Sequence, residues 1–543
     1  MLLRTFTTGV LLAAGAFAQM NSFPKPSYFR ETFSKTQPKV ELKDPVRLKD
    51  FVIGDKLELS LKNYLALVMA NNTDIQIQML TLETPQNAIT RAFATWDPTA
   101  RASFQSNRTI SPSTNILDGV PTTGALNSLT QPASFSYSQV VPTGLNYGVT
   151  YTAGKTSTTS SNNTYNPSLT SALAFTVSQP LLKNRGSSVN RLGLMSARSR
   201  FRISEYNLRS QLLNMVNAAE NAYWDVIAAR ETLKVAEGAR AVSAEFLKLS
   251  EKQLELGALS PLDIYNPQQQ LANADLNVST ARFALAQRED ALRKQISVDL
   301  DPDLRKLPIV LTETVDIQPD SAKVDREQAI ARALASRPDL KAAVQNLDVD
   351  DLAIRSARNG LLPNLSLSLN YSAQGRGGDF IPRQLPNTPI PGGITDAISQ
   401  MFGFGFPAYG FGINLILPIK SHSAAADMAD ALSSRKRDTL NVRTVQQGIR
   451  LDILNALTNL DGSVEQLKLA RLARDFAQKN LDAENKKYEL GTEINQNVIL
   501  AQNALVQAES SVVVNQVQLR RNLLTVLTKT GELLDERGIV IQP

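Results

Sequence analysis

Ala70-Asn71-Asn72-Thr73-Asp74-Ile75 is met again, 265 positions on, as Ala335-Ser336-Arg337-Pro338-Asp339-Leu340. The same shift lays Pro98, in Trp96-Asp97-Pro98, on Pro363, in Leu361-Leu362-Pro363. Farther along the shift becomes 234. Leu256-Gly257 then falls on Leu490-Gly491, and the stripe Leu271, Ala274, Val278, Leu285 falls on Leu505, Ala508, Val512, Leu519. A chain of 543 residues would ordinarily hold several domains. A repeat of this length instead makes it two copies of one supersecondary unit.

Each copy has the same order of patterns. A helical run over 59–96 stops at Asp97-Pro98, because the residue before a proline is pushed out of the helical region. The period then becomes two. Leu145, Tyr147, Val149 and Tyr151 alternate with Asn146, Gly148, Thr150 and Thr152; Leu365, Leu367, Leu369 and Tyr371 alternate with Asn364, Ser366, Ser368 and Asn370. One apolar face and one small polar face over about 8 to 10 residues fits a strand with lipid on one side and water on the other. A soluble antiparallel sheet with one wet face gives the same alternation. The strand blocks, 99–179 and 364–419, end at Gln179-Pro180-Leu181-Leu182 and Leu417-Pro418-Ile419-Lys420. The segments at 107–132, 154–168 and 374–408 are predicted as loops outside the cell. The turn Val141-Pro142-Thr143-Gly144 either adds a hairpin or lengthens the strands, giving four to six strands per chain.

Proline-free helical runs follow, over 188–254 and 424–488, each on the order of 100 Å at 1.5 Å per residue. Leu208, Leu212, Met215, Ala219, Ala222, Val226, Ala229, Leu233 and Ala236 step by four and three, as do Ile449, Ile453, Ala456, Leu460, Ser463, Leu467 and Ala470. That is a heptad seam on an otherwise polar helix, suited to a thin wall wetted on both faces. Each run ends at a glycine turn, Leu256-Gly257-Ala258-Leu259-Ser260-Pro261 and Leu490-Gly491-Thr492-Glu493, and helices return over 261–298 and 496–528. The shorter helices, 59–96 and 326–360, stack end to end with the returning ones. Their junction predicts a waist to which the linker and the tail contribute.

The N-terminus reads as an export signal: a basic start at Arg4, an apolar Gly9–Gly15 core too short to span a membrane, and Ala16-Phe17-Ala18 before the cut. Losing residues 1–18 takes the net charge from +6 to +5, which is mild for this length and gives no reason to expect a nucleic-acid partner. Cysteine is absent, so disulfides, thiolate metal sites and cysteine nucleophiles are excluded. The one histidine, His422, falls at a strand-to-helix turn. Gly375-Arg376-Gly377-Gly378 and Gly403-Phe404-Gly405 lack dinucleotide-binding context and read as surface loops. No catalytic residue, metal site or cofactor is expected, and the chain is not expected to be an enzyme.

The order helix, strands, Gln-Pro-Leu-Leu, long helix, Leu-Gly turn, helix, given twice and joined by Arg337-Pro338-Asp339-Leu340 and Gly360-Leu361-Leu362-Pro363, resembles the TolC-type outer membrane efflux protein family over residues 57–530. The fold class implied is mixed: long periplasmic α-helices forming a coiled-coil tunnel, and a transmembrane β-barrel shared between chains. The division is 1–18 signal peptide, 19–56 extension, 57–300 first repeat, 301–325 linker, 326–530 second repeat and 531–543 tail. Oligomerisation also follows from physics. Even eight strands make a barrel filled by its own side chains, and lipid tolerates no open strand edge. The number three, a periplasmic adaptor and an inner-membrane RND or ABC transporter are implied by the resemblance alone. It further implies an outer-membrane exit duct for efflux, with a protein-secretion duct as the nearest alternative. A coiled-coil surface protein with a small β anchor is the alternative from another class. Leu256, Gly257, Ala258, Leu259, Ser260, Leu490, Gly491, Thr492 and Glu493 are the expected docking tips. In the family's best-known member two aspartates one turn apart narrow the periplasmic mouth. The matching positions here are Asn497 and Leu500, with Asp263 the first-copy equivalent of Asn497, which implies a polar and apolar constriction. Trp96 is placed at the periplasmic lipid interface, where amphipathic rings gather.

Overall fold

The structure is a computed structural model that describes residues 52–53, 56–113, 119–120, 124–257, 260–297, 307–314, 325–382, 388–490, 492 and 494–539. The expected signal peptide, 1–18, and nearly all of the 19–56 extension lie outside the described residues. Strand β1 (Val52–Ile53) pairs with β2 (Lys56–Leu59). Helix α1 (Leu61–Asn71) starts on Ser60, whose side chain accepts from the Asn63 N–H at 3.3 Å. Then come α2 (Thr73–Leu80), α3 (Glu83–Phe93) and a single 3₁₀ turn at Ala94–Trp96.

The single helix predicted for 59–96 is therefore three pieces. The break at Asn72 has a cause: its backbone is extended (φ −66°, ψ 119°), and its Oδ1 accepts from the N–H groups of Asp74 and Ile75 at 2.9 and 3.2 Å. Asparagine offers the chain this local alternative to the helical bond. The second copy does the same at the equivalent position, between α7 (Arg326–Ser336) and α8 (Pro338–Gly360). Arg337 is extended there (φ −58°, ψ 125°), and Pro338 occupies the first helical position, where its missing N–H costs nothing. The two quoted stretches are thus one kink, built twice from different residues.

The strand blocks form a single antiparallel sheet. In order they are β3 (Thr99–Phe104), β4 (Asn107–Pro112), β5 (Ala125–Val140), β6 (Asn146–Thr158), β7 (Tyr165–Pro180), β9 (Asn364–Phe380) and β10 (Phe406–Ile416). The spatial order is β10-β9-β7-β6-β5-β3, with β4 continuing β3 along the same side of β5. Seven strands thus fill six positions. The turn at 141–145 joins β5 to β6, so that segment does add a hairpin. The shift between the copies falls from 265 at Pro98 and Pro363 to 238 at Pro180 and Pro418, so the first block is longer by 27 residues.

The strands also run farther than expected into all three stretches predicted as external loops. Only 107–112 and 125–132, 154–158 and 165–168, and 374–380 and 406–408 are concerned. There the apolar alternation fades, as in Gln374-Gly375-Arg376-Gly377-Gly378, while the hydrogen-bonded ladder continues. The third stretch further contains a helix, α9 (Ile394–Phe402), lying on β9 and β7. The Gly375–Gly378 cluster is strand, not loop.

Two long helices descend from the sheet: α5 (Leu192–Glu255, 64 residues), after the short α4 (Ser187–Asn190), and α10 (His422–Glu489, 68 residues). His422 is the first residue of α10. The returning helices are α6 (Tyr265–Gln295) and α11 (Asn495–Thr530), and α12 (Leu533–Glu536) closes the described chain. The second seam is buried from Ile449 to Leu467. The first is buried at Leu208, Leu212, Ala219 and Val226, and only half-buried beyond Ala229.

Near that first seam lies a core that the sequence did not announce. Strand β8 (Ile309–Leu311), within the predicted 301–325 linker, pairs in parallel with β2. Leu57, Leu59 and Ile309 join Tyr64, Tyr223, Leu292, Ile296, Leu533 and Leu534 in one cluster. Tyr64 donates to the Ala219 carbonyl and Tyr223 to that of Leu59, both at 3.1 Å. Burial raises both phenols, Tyr223 to about 12. Each returning helix ends here on a left-handed residue: Ser297 (φ 56°) and, 234 positions on, Gly531 (φ 79°). Ser297 Oγ donates to the Asn71 carbonyl at 2.9 Å, and Ser336 Oγ to that of Thr530. The end of each returning helix is bonded to the kink of its shorter partner.

Candidate functional site

The helical tips come first. Helix α5 ends where the Leu256 N–H reaches the Lys252 carbonyl and Gly257 turns left-handed (φ 70°), its N–H on the Leu254 carbonyl at 3.0 Å. Glycine takes that conformation without a Cβ clash. Ala258 and Leu259 lie outside the described residues. The Ser260 carbonyl accepts from the Asp263 N–H at 3.0 Å, and its hydroxyl accepts from the Leu262 N–H at 3.4 Å. This turn delays α6 to Tyr265, so Pro261 does not open the returning helix as expected. At the other tip, Leu490 caps α10, and the Thr492 N–H and hydroxyl both donate to the Lys487 carbonyl at 3.0 Å. Gly491 and Glu493 lie outside the described residues.

The tips are joined. Asn495 Nδ2 donates to the Asp263 carbonyl at 3.2 Å, and Gln270 Nε2 to Asn503 Oδ1 at 2.6 Å. Phe246 and Tyr488 pack with ring centroids 5.6 Å apart, over Val498, Ile499 and Ala501. Burial pushes the Tyr488 phenol up. A groove of about 470 Å³ beside them is lined by Phe246, Leu249, Lys252, Tyr488 and Gln502 among others. Leu256 and Leu490 are 83% and 79% exposed. Leu262, Tyr265 and Ile494 stand exposed beside them, unremarked in the sequence although they flank the glycine turns. Asp263 is exposed, Asn497 half-buried and Leu500 55% exposed. Asn497 and Leu500, three apart, share the side of α11 turned away from buried Val498 and Ile499.

The sheet is the second candidate. Its register puts Tyr137, Val149, Phe175 and Tyr371 in one row and Gln139, Tyr147, Val177, Leu369 and Phe411 in the next. Phe104, Phe135, Phe175, Leu369, Phe411 and Ile413 are exposed on this face. The opposite face carries Ser136, Thr150, Ala174, Ser372 and their neighbours, with Ser103 Oγ 2.7 Å from Ser134 Oγ and Ser368 Oγ donating to the Gly412 carbonyl at 3.1 Å. Among the described residues, β10 and the β3–β4 line each have a strand partner on one side only. Trp96 sits where α3 passes into β3. Its ring is 5.7 Å from that of Phe93, and its carbonyl accepts from Gln139 Nε2 at 3.0 Å. Its indole N–H is buried with no partner in the structure. No helix among the described residues is long and apolar enough to cross a membrane. Among the described residues there is no cluster of three or more metal-ligating side chains.

The outer membrane efflux protein signature matches residues 133–297 and 329–532, which takes in β6, β7, β9, β10 and all four long helices. The chain belongs to the outer membrane efflux protein family. Members of this family are outer-membrane ducts rather than enzymes. Its curated relatives include the pyoverdine export outer membrane protein OpmQ of Pseudomonas aeruginosa, 24% identical over 331 residues, 60% of this chain and 62% of OpmQ. Outer membrane efflux protein BepC of Brucella suis biovar 1 is 26% identical over 347 residues, 62% of this chain and 67% of BepC. The matched stretch thus spans about three fifths of OpmQ's length. Among solved structures, the Campylobacter jejuni CmeC outer membrane channel superposes with a TM-score of 0.59 at 16% identity, over 92% of this chain and 90% of that one. The open state of the Neisseria gonorrhoeae MtrE outer membrane channel gives 0.58 at 15%, over 87% and 89%. The family's mixed helical and barrel fold, expected from the repeat, is the fold of this chain.

Proposed function

We propose that this chain is the outer-membrane exit duct of a tripartite efflux system, working as a homotrimer on a periplasmic adaptor and an inner-membrane RND or ABC transporter. The observation that carries the reading is the sheet: apolar on one face, polar on the other, and open at both edges. Such an edge in lipid leaves a row of backbone groups unpaired, at several kcal/mol each, so it must meet another copy. Strands β3 and β10 run in opposite directions, as an antiparallel junction between copies requires. Three copies of six positions close a barrel of eighteen strands, and barrels of that size hold an aqueous channel.

The exposed apolar tips support the partner reading. Leu256, Leu262, Leu490 and Ile494 are large apolar side chains at the end of polar helices, where an unpartnered surface would carry charge. They form the adaptor-facing ring, and Asn497 and Leu500 line the mouth inside it. The chain passes substrates down their gradient and does no chemistry on them. The cysteine-free chain makes the test direct. Single cysteines along Thr99–Phe104 paired with single cysteines along Gly410–Ile416 are expected to form disulfides between chains and yield a three-chain band. Disulfides within one chain, or none at any register, would overturn the shared barrel.

A further inference from the structure

Helix α9 has no counterpart among the described residues of the first strand block. It lies back across β9 and β7 with Ala397 and Met401 fully buried. The strand has been cut away to receive it. A Cβ on Gly375 would stand 1.8 Å from the Ala397 carbonyl oxygen, and one on Gly377 2.1 Å from that of Gly393. Ser171 Oγ donates to Met401 Sδ at 3.2 Å, Gln400 Oε1 accepts from the Arg376 N–H at 3.1 Å, and the Gly393 N–H is taken by Asp396 Oδ2 at 2.7 Å.

The side on which α9 lies follows from register. Gly375 and Gly377 share strand parity with Leu367, Leu369 and Tyr371, so α9 covers the apolar face, not the serine- and threonine-lined one. Phe404 ties it to that face, with its ring 6.2 Å from Tyr371. Helix α9 rests on β9 and β7, one and two positions in from the open β10 edge, and so away from a neighbouring copy. Its exposed residues are Thr395, Asp396, Ser399 and Phe402; the Asp396 carboxylate accepts from the Gly393 N–H at the start of the helix, and Phe402 is 62% exposed. A strand of about 9 to 11 residues crosses the hydrocarbon, and β9 has 17, so a helix seated on residues 373–377 lies at the outer rim of the apolar belt.

We infer that α9 is an interfacial helix: it lies outside the barrel at the outer-leaflet boundary and inserts Phe402 among lipid acyl chains. It rests on the barrel reading above. An amphipathic helix in the interface plane binds by the apolar area it buries there. Here the sheet already supplies one side of that burial, so lipid meets only the outward Phe402. The arrangement widens the barrel's lipid grip on one side without adding a strand.

The test is spin-label accessibility in vesicles of phosphatidylcholine and phosphatidylglycerol. A nitroxide is placed on Phe402→Cys or, where that variant does not assemble, Ser399→Cys; Leu369→Cys marks the belt and Ser368→Cys the lumen. Leu369 is expected to meet dissolved oxygen more than an aqueous nickel chelate, and Ser368 the reverse. The α9 labels are expected to follow Leu369. If Leu369 and Ser368 behave as stated while the α9 labels favour the nickel chelate, α9 is in water and the inference falls alone. Labels on α9 shielded from both probes mean that a neighbouring copy covers it, which overturns the inference as well. A Leu369 label that favours nickel overturns the barrel reading and this one together.

Discussion

Among the described ion pairs, Glu220 on the long helix α5 is the most deeply buried carboxylate, its side chain 2% exposed. Arg537, in the tail, reaches it with two bonds of 2.6 and 3.0 Å, and the Trp224 indole N–H lies 3.4 Å away. Arg520 stacks 4.8 Å over the same indole. Removing one partner of a buried pair leaves an uncompensated charge, so Arg537→Ala is expected to cost about 3–5 kcal/mol, read as a fall in denaturation midpoint. Glu220→Gln in the same background should restore much of it. A second charge cluster sits at the kink. Arg337 holds Asp339 at 2.6 Å and Asp452 at 3.1 Å, and Lys529 holds Asp452 at 3.0 Å. Burial alone would raise the Asp452 carboxyl, but Lys529 and Arg337 outweigh it and hold it below the usual carboxylate range. A depressed folded pKa stabilises above the unfolded value, near about 3.9, and that stabilisation is lost as pH falls through the folded one. Asp452→Asn is therefore expected to lower stability at neutral pH, by no more than about 1 kcal/mol at a site this exposed. The gap to the parent should close in strong acid, and a constant gap at every pH would contradict the assignment.

At the scale of elements, the sheet's two faces make opposite predictions for neighbouring residues. Leu367→Arg puts a charge on the apolar face and is expected to cost roughly 2–4 kcal/mol of barrel stability. Ser368→Arg is expected to assemble normally and reduce conductance; equal assembly defects from both would reverse or erase the sidedness. Gly375→Leu, which drives a side chain into the Ala397 carbonyl, should dislodge α9 while leaving the oligomer intact, visible as new protease cleavage within 388–405. Much of this was legible in the sequence, and the reason is periodicity. The alternation Leu365–Tyr371 and the seam Ile449–Leu467 repeat often enough to name element, face and partner. What periodicity could not carry was missed. The Asn72 and Arg337 breaks are single-residue capping events inside patterns that stay helical on both sides. The β1-β2-β8 sheet is built from strands of two to four residues, too short to show a period. Gly375 and Gly377 read as a loop because their reason, the backbone at Gly393 and Ala397, comes from farther down the chain.

At the scale of the whole molecule, the repeat pointed to the architecture, while the strand count, expected as four to six, needed the sheet itself to place the extra hairpin in the first block. The tips show the limit. A Leu-Gly turn announces a helix end, but nothing in it says what the leucine meets. Leu256→Asp with Leu490→Asp is expected to leave the oligomer and its conductance unchanged and to abolish export in cells, together with cross-linking to the adaptor. Asn497→Ala with Leu500→Ser is expected instead to raise leak conductance; no change would place the constriction elsewhere. The most direct test of the account is single-channel recording on the purified oligomer carrying Ser366→Cys, on the polar face, or Leu367→Cys, on the apolar one, during addition of an impermeant anionic thiol reagent. The account predicts that Ser366→Cys channels lose current in three discrete steps, one per copy, while Leu367→Cys channels do not respond. Loss of current from the Leu367 position, or none from the Ser366 position, would contradict a water-filled barrel shared between copies with its serine and threonine face turned inward.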